Sequence, residues 1–283
     1  MDKILITGSD GVIGSALRGK FEDNGTEIIP FDIKRGLDIC NKEQLLAAVA
    51  DGIGGVIHCA AVARVCECEN NAALCRKTNI DGTRNIVECL QTSANKPWLL
   101  FLSSKEVYGQ ASALPVTEDF PYNPINEYAR SKVEGEKIVG GYPNSGVIRL
   151  TNVYGSVNDH DNRLIPALTK AALSGRPLIL NGADNTLDFV HISDAVNGIF
   201  AYCRNRLRTT IHLASGRSLT IRRLAQEIAR QTNSESRIME MPARKNEISC
   251  FYGDPRKAKE VLGWQTKISL EDGIGMLIKE EQI

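Results

Sequence analysis

Residues 4–14 read ILITGSDGVIG: a short, β-branched apolar run that passes without a break into glycines at 8, 11 and 14. Such a run reads as a buried strand, and the stretch VIGSALRGKFEDNG that begins inside the glycines has the spacing of an amphipathic helix. Gly8, Gly11 and Gly14 let the backbone turn tightly and approach a pyrophosphate. Unpaired N–H groups at the helix start, those of Val12 and Ile13 among them, then face the negative charge. A glycine trio alone is a weak signal, and an ordinary strand-to-helix turn is the competing reading.

The next strand supports the ligand reading. The run TEIIPF ends at Asp32, eighteen residues after Gly14, where an acidic side chain accepts hydrogen bonds from ribose hydroxyls and repels a 2′-phosphate, which favours NAD. Lys34 and Arg35 follow directly. They read either as grips for that phosphate, which would favour NADP, or as solvated loop cations.

Outward from this start, apolar strand-like runs alternate with helical patterns: a helix near NKEQLLAAVA, the run GVIHCAA, a long helix ending near Thr92, then WLLFLSS. Alternation of this kind predicts βαβ units and a doubly wound parallel sheet covered on both faces. After VIRL at 147–150 the order is less regular. Helices are expected at ALTKAAL and AVNGIFAYC, and short strands at PLILN, LDFVHI and TIHLA. No linker separates the halves, so the expectation is a sheet domain over 1–150 and a smaller C-terminal α/β lobe over 151–283, with some segments returning to the first.

Among 283 residues, 34 basic and 34 acidic side chains cancel and 42% of residues are apolar. That composition supports a large core and argues against nucleic-acid or anionic-membrane partners. No run is long enough for a signal peptide or a membrane span, so a cytoplasmic protein is expected. The eight cysteines read as small buried hydrophobes rather than a disulfide framework. Cys66, Cys68 and Cys75 form C-x-C-x6-C with no nearby histidine, which is not zinc-ligand spacing, and no metal is expected.

Two further stretches carry chemistry. SSKEVYG, residues 103–109, places Ser104, Lys105 and Glu106 at the end of a buried strand, where ligands sit in open α/β sheets. Within NEYARSKVEGEKI, Tyr128 and Lys132 are four apart and therefore share a helix face. An ammonium beside a phenol stabilises phenolate, lowering a pKa from about 10 toward a value useful at neutral pH.

Taken in order, these motifs resemble the extended short-chain dehydrogenase/reductase family, specifically its nucleotide-sugar epimerases and dehydratases, over nearly the whole chain. The resemblance implies a Rossmann-type domain with bound NAD. Asp38 and Ile39 look like the family's adenine contact, Cys59, Ala60 and Ala61 like its loop over the cofactor, and Asn79 like part of its central helix. Tyr128 is implied as catalytic base, Lys132 as the residue that holds the nicotinamide ribose and tunes Tyr128, and Ser104 as its proton-sharing partner. A homodimer is implied as well. RLTNVYG with Asn152, LDFVHISDAV and DPRKAKEVLGW match the family's substrate lobe.

The departures narrow the activity. Where the family commonly has an arginine on the substrate diphosphate, this chain has Leu187, whereas Arg244 matches a second phosphate-binding arginine and Arg163 is a further candidate. Where 4,6-dehydratases carry Thr-Asp-Glu, this chain has Ser104-Lys105-Glu106. Dehydration thereby loses its carboxylic acid, and Lys105 reads as a substrate contact or a solvent-facing cation. Glu106 remains to orient a sugar or deprotonate carbon; decarboxylases of the family have Glu there too. The expectation is an NAD-dependent sugar epimerase acting on a nucleotide sugar. The alternatives are a net reductase or dehydrogenase of a keto-sugar or sugar acid, and a non-catalytic NAD sensor.

Overall fold

The computed structural model describes residues 3–50 and 52–282. Its first half alternates as expected: β1 (Ile4–Thr7), α1 (Val12–Glu22), β2 (Ile28–Phe31), α2 (Lys42–Ala50), β3 (Gly55–His58), α3 (Val65–Asn70), α4 (Ala72–Arg76), α5 (Gly82–Thr92), β4 (Trp98–Ser104), α6 (Glu127–Gly140) and β5 (Ser145–Leu150). Every residue of β1 and β3 is buried, as a sheet covered on both faces requires. β1 runs parallel to β2 and β3, β3 to β4, and β4 to β5.

Elements β6 (Asn152–Tyr154), α7 (Leu164–Leu173), β7 (Leu178–Asn181), β8 (Thr186–Leu187), β9 (Phe189–His191), α8 (Ile192–Arg204), β10 (Thr210–Leu213), β11 (Leu219–Thr220), α9 (Ile221–Gln231), β12 (Ile238–Met241), α10 (Arg256–Leu262) and α11 (Leu270–Glu281) follow. The main sheet has the order β10-β5-β4-β3-β1-β2. The chain therefore reverses direction across the sheet between β1 and β3, the switch point at which open α/β sheets bind ligands.

The chain divides into two compact units. The first runs through Gly109 and includes Glu118–Leu150 and Val196–Ile211; the second comprises Gln110–Thr117, Thr151–Ala195 and the chain from His212 onward. In the first, Leu5, Val56, Leu99 and Phe101 of the sheet pack with Ile86 and Leu90 of α5. α6 lies close on β4 because Gly135 has no side chain: a Cβ there would stand 2.6 Å from Phe101 Cζ. In the second unit, Leu168, Leu178, Leu224, Ile228 and Leu277 form a separate core.

Two expected elements are broken, each by a polar side chain. The long helix ending near Thr92 is interrupted at Asn71, whose side chain accepts from Leu74 N to start α4. It is interrupted again by a π turn over Lys77–Asp81 that carries Asn79. The run LDFVHI splits at Asp188, so that β8 pairs with β11 and β9 with β6. The Asp188 carboxylate turns inward to accept the N–H groups of Ser215, Gly216 and Gly253 and the Ser215 hydroxyl, and burial pushes its pKa up to about 6.

One buried ion pair fastens α6 to the sheet. Arg149 of β5 meets Glu136 of α6 at 2.7 Å and 2.9 Å. Glu136 also accepts from Ser103 Oγ at 2.5 Å and Tyr122 OH at 2.8 Å, and Arg149 donates to Tyr108 OH and to Glu118 O. A buried pair this fully bonded is expensive to half-remove, since one partner is left charged and unpaired. Arg149→Met should cost about 3–5 kcal/mol in denaturant unfolding, and adding Glu136→Met should recover much of that loss. Equal costs for the single and double variants would contradict this account.

Candidate active site

The glycine loop has the close approaches its sequence requires. Gly8 has φ +69°, in the left-handed region, and a Cβ on Gly14 would lie 1.9 Å from Gly8 O. Helix α1 starts at Val12 with Gly11 as its N-cap and no side-chain cap. The first-turn amides, including those of Val12 and Ile13, lack intrahelical partners and suit a diphosphate. A Cβ at either end would collide with backbone, at Ala60 N or at Gly8 O, so only glycines allow this turn, whose bare amides fit the expected dinucleotide.

Asp32 is 7% exposed. Its carboxylate accepts from Asp10 N and from Lys34 N, both at 2.9 Å, so the acid at the end of β2 holds the glycine loop directly. A carboxylate has about four acceptor sites, which leaves capacity for ribose hydroxyls. Arg35 is exposed and pairs with Asp10 at 2.7 Å, as Arg18 does at 2.8 Å. The Arg35 hydrogen bond, with Arg18, holds the Asp10 carboxyl below its ordinary value. Lys34 Nζ donates to Asp10 O at 3.2 Å. Asp38 Oδ1 accepts from Cys40 N at 2.8 Å. The Ile39 side chain is buried against Gly82, leaving room for no Cβ there.

A hydrogen-bonded chain runs under this loop from one element to the next. Thr7 Oγ1 meets His58 Nδ1 at 2.8 Å, His58 Nε2 meets Thr83 Oγ1 at 2.9 Å, and Thr83 donates to Asn79 O at 2.6 Å. Because Thr83 spends its proton on Asn79 O, it accepts from Nε2–H, and Nδ1 accepts from Thr7. Burial, with Lys132 nearby, pushes His58 down to about 3, so the ring is neutral at every physiological pH. Ala60 N donates to Thr7 Oγ1 at 3.3 Å and Cys59 N to Thr7 O at 3.1 Å. Asn79 clasps the same loop: its Oδ1 accepts from Val62 N at 2.8 Å, and its Nδ2 donates to Val62 O at 3.1 Å and Ser131 Oγ at 2.9 Å. Asn79 thus braces residues 59–62 against α6, a role its motif position did not suggest.

On α6, the four-residue spacing brings Tyr128 and Lys132 together, with Lys132 Nζ 5.8 Å from the Tyr128 ring centroid. Lys132 is buried, donates to Leu102 O at 2.8 Å and lies 4.7 Å from the centre of the Phe101 ring. The helix is thereby anchored two residues before Ser104. The serine pair resolves: Ser103 is engaged by Glu136, while Ser104 Oγ only accepts from Glu106 N, at 3.2 Å. Its proton is therefore not spent in that bond.

Lys105 is 5% exposed rather than solvent-facing. It donates to Glu106 Oε1 at 2.7 Å, and Asn126 Nδ2 donates to Glu106 Oε2 at 3.1 Å. Asn126 also caps α6 by accepting from Ala129 N at 2.7 Å, so one amide positions both Glu106 and the helix of Tyr128. Asn126, Thr7, Thr83 and Ser131 were not singled out from sequence; for Asn126, the short polar residue before EYARSK is an N-cap signal that would have found it.

In the second unit, Asn152 Nδ2 donates to Asp188 O at 2.8 Å, Leu187 packs against that unit's core, Arg163 pairs with Asp159 at 3.4 Å, and Arg244 is exposed, 3.4 Å from Glu247. Among the described residues no three metal-binding side chains converge.

Comparison with known proteins places the chain in a family. Residues 4–213 match the model of the NAD dependent epimerase/dehydratase family. A putative UDP-glucose 4-epimerase of Methanocaldococcus jannaschii is 27% identical over 97% of both chains. UDP-glucuronic acid decarboxylase 1 of Danio rerio is 28% identical over 98% of this chain and 72% of the relative. The crystal structure of UDP-glucose 4-epimerase from Thermotoga maritima with UDP-glucose superposes with a TM-score of 0.92 at 25% identity, over 99% of this chain and 98% of that one.

Burial gives Lys132 a measurable signature: its pKa falls from 10.5 to about 8. Between those values the unfolded chain holds a proton that the folded chain has released. The group therefore stabilises the fold increasingly as pH rises, by on the order of 3 kcal/mol over the full span, and that contribution is lost as pH falls through about 8. Without nicotinamide cofactor, Lys132→Met should be more stable than the wild type at pH 7 and lose that advantage by pH 10, as read by urea unfolding. The same advantage at both pH values would contradict a depressed lysine.

Proposed function

The chain belongs to the NAD dependent epimerase/dehydratase family, and from that premise we propose that it is an NAD-dependent epimerase of a nucleotide sugar. The observation that carries the reading is the Tyr128–Lys132 pair, anchored through Leu102 O beside Ser104. A proton acceptor of this kind has no use in a passive NAD sensor.

Bound along the glycine loop, NAD would supply the hydride acceptor and donor that inversion at a sugar carbon requires. This chain's residues manage the proton. Tyr128 takes it from the sugar hydroxyl through its phenol oxygen, Ser104 shares it through its hydroxyl, and the Lys132 ammonium favours the phenolate and reaches the nicotinamide ribose. Val12, Ile13 and the three glycines hold the diphosphate, Asp32 the adenosine ribose, Asp38 and Ile39 the adenine, and Cys59, Ala60 and Ala61 cover the cofactor. Asn152, Arg163 and Arg244 are the proposed contacts of the nucleotide-sugar substrate. With both of these relatives named for UDP-sugars, UDP is the nucleotide to test first.

Dehydration is disfavoured by the side chains at the strand end. The position a dehydratase fills with an acid holds Lys105, and its ammonium is bonded to Glu106. Glu106 is in turn held by Asn126, which suits orientation of a sugar hydroxyl.

The test combines three readouts on one incubation with NAD and UDP-hexoses: epimeric product by NMR, water loss by mass spectrometry, and absorbance near 340 nm. The reading predicts an epimer, no dehydrated product and no net reduced cofactor, and Tyr128→Phe should lower turnover by about 2 to 4 decades while NAD still binds. Accumulating reduced cofactor would transfer the assignment to a net dehydrogenase, and a Tyr128→Phe variant with near-normal turnover would remove Tyr128 from the mechanism.

A further inference from the structure

The spacing C-x-C-x6-C, which provides no metal site, brings two of its thiols together. Cys68 on α3 and Cys75 on α4 are both fully buried, and each thiol is the neighbour that acts most strongly on the other. Cys66 is exposed on α3, its sulfur 3.4 Å from Arg64 Nη2. Both buried sulfurs also touch the clasp that holds the loop after β3. Cys68 Sγ donates to Val62 O at 3.4 Å, and Asn79 Nδ2, which bonds the same carbonyl, lies 3.4 Å from Cys75 Sγ.

We propose that Cys68 and Cys75 are a modification site, a dithiol that peroxide oxidises to a disulfide whose formation loosens the Asn79–Val62 clasp. Cys75 is the nucleophile: Asn79 Nδ2 donates to its sulfur at 3.4 Å, which favours the thiolate, whereas Cys68 keeps its proton on Val62 O at 3.4 Å. The Cys75 thiolate attacks one peroxide oxygen, the O–O bond breaks, and the departing hydroxide takes a proton to leave as water. The resulting sulfenic acid is attacked by Cys68 sulfur: the S–S bond forms, the S–O bond breaks, and a second water leaves with the Cys68 proton. Two thiols lose two electrons and one peroxide becomes two waters, with no further reactant.

Access comes from local opening. α3 has six residues and α4 five, far below the length at which a helix holds itself, so packing alone keeps them closed and its local loss exposes the thiols. Closure of the bond draws the sulfurs to about 2 Å. The S–H that bonds Val62 O no longer exists, and Cys75 is drawn from Asn79. Because Cys59, Ala60 and Ala61 on the same loop are the proposed cofactor contacts, weaker NAD binding follows, a consequence that rests on the preceding functional reading; the test does not need it.

The full chain, cofactor-free, is treated with a few equivalents of hydrogen peroxide and compared with the dithiothreitol-reduced protein. Non-reducing peptide mapping should find residues 68 and 75 linked with two hydrogens lost, reversed by dithiothreitol. Amide hydrogen exchange over residues 60–64 and 77–81 should speed by at least about fivefold as the loop opens locally. Cys75→Ala should abolish the link, while the mapping on the wild type stands whether or not that variant folds. Oxidation confined to Cys66, an intermolecular disulfide through Cys66, or a Cys68–Cys75 link with unchanged exchange overturns the proposal.

Discussion

A lysine ammonium taken out of water beneath a strand end is the constraint around which the first unit is organised. Lys132 has a carbonyl, Leu102 O, and the face of Phe101 to receive it, and burial still pulls its proton affinity down to about 8. The groups around it are arranged so as not to add to that cost. His58, close enough to feel the charge, is neutral because burial holds it near 3, and it serves as a relay of hydrogen bonds instead of a second cation. That relay, from Thr7 through His58 and Thr83 to Asn79 and on to Ser131, ties the strand that feeds the glycine loop to the helix of Tyr128. The glycine loop and the helix of Tyr128 are therefore parts of one network.

The same helix is held at three heights by three different chemistries. Asn126 caps its start and grips Glu106, Lys132 binds Leu102 O in the middle, and Glu136 meets Arg149 two turns after Tyr128. Each contact reaches a strand end or the segment leaving it. Positional precision for the phenol thus comes from polar bonds in a low-dielectric setting, where each is stronger than in water and where a missing partner is costly. Lys105 belongs to this arrangement: buried beside Glu106, it fills the place where a dehydratase has an acid and fixes the carboxylate next to it.

What the sequence revealed follows from range. The glycine spacing, Asp32 after the second strand and the Tyr128–Lys132 pair are local patterns, and the parallel sheet follows from alternating local periods. The Thr7–His58–Thr83 relay and the Glu136–Arg149 pair join residues far apart in the chain, and no local period announces them. The break of the expected helix at Asn71 was legible in principle, since Asn favours N-caps. So was α9, where Ile221, Leu224, Ala225 and Ile228 recur at helical spacing and are buried. The split at Asp188 was not, because its cause is three amides contributed from Ser215, Gly216 and Gly253. Sequence singled out Ser104 and gave no role to Ser103, whose bond to Glu136 joins residues far apart in the chain.

The central claim is that hydride leaves the sugar and returns to the same molecule while Tyr128 keeps the proton account. UDP-glucose deuterated at the carbon whose configuration changes, incubated with the NAD-loaded protein and followed by NMR and mass spectrometry, tests it most directly. The account predicts an epimerised sugar that retains its deuterium at that carbon, with none in solvent and none accumulating on the cofactor. Epimer that has exchanged its label with water would mean proton abstraction at carbon, without hydride transfer, and would contradict the account.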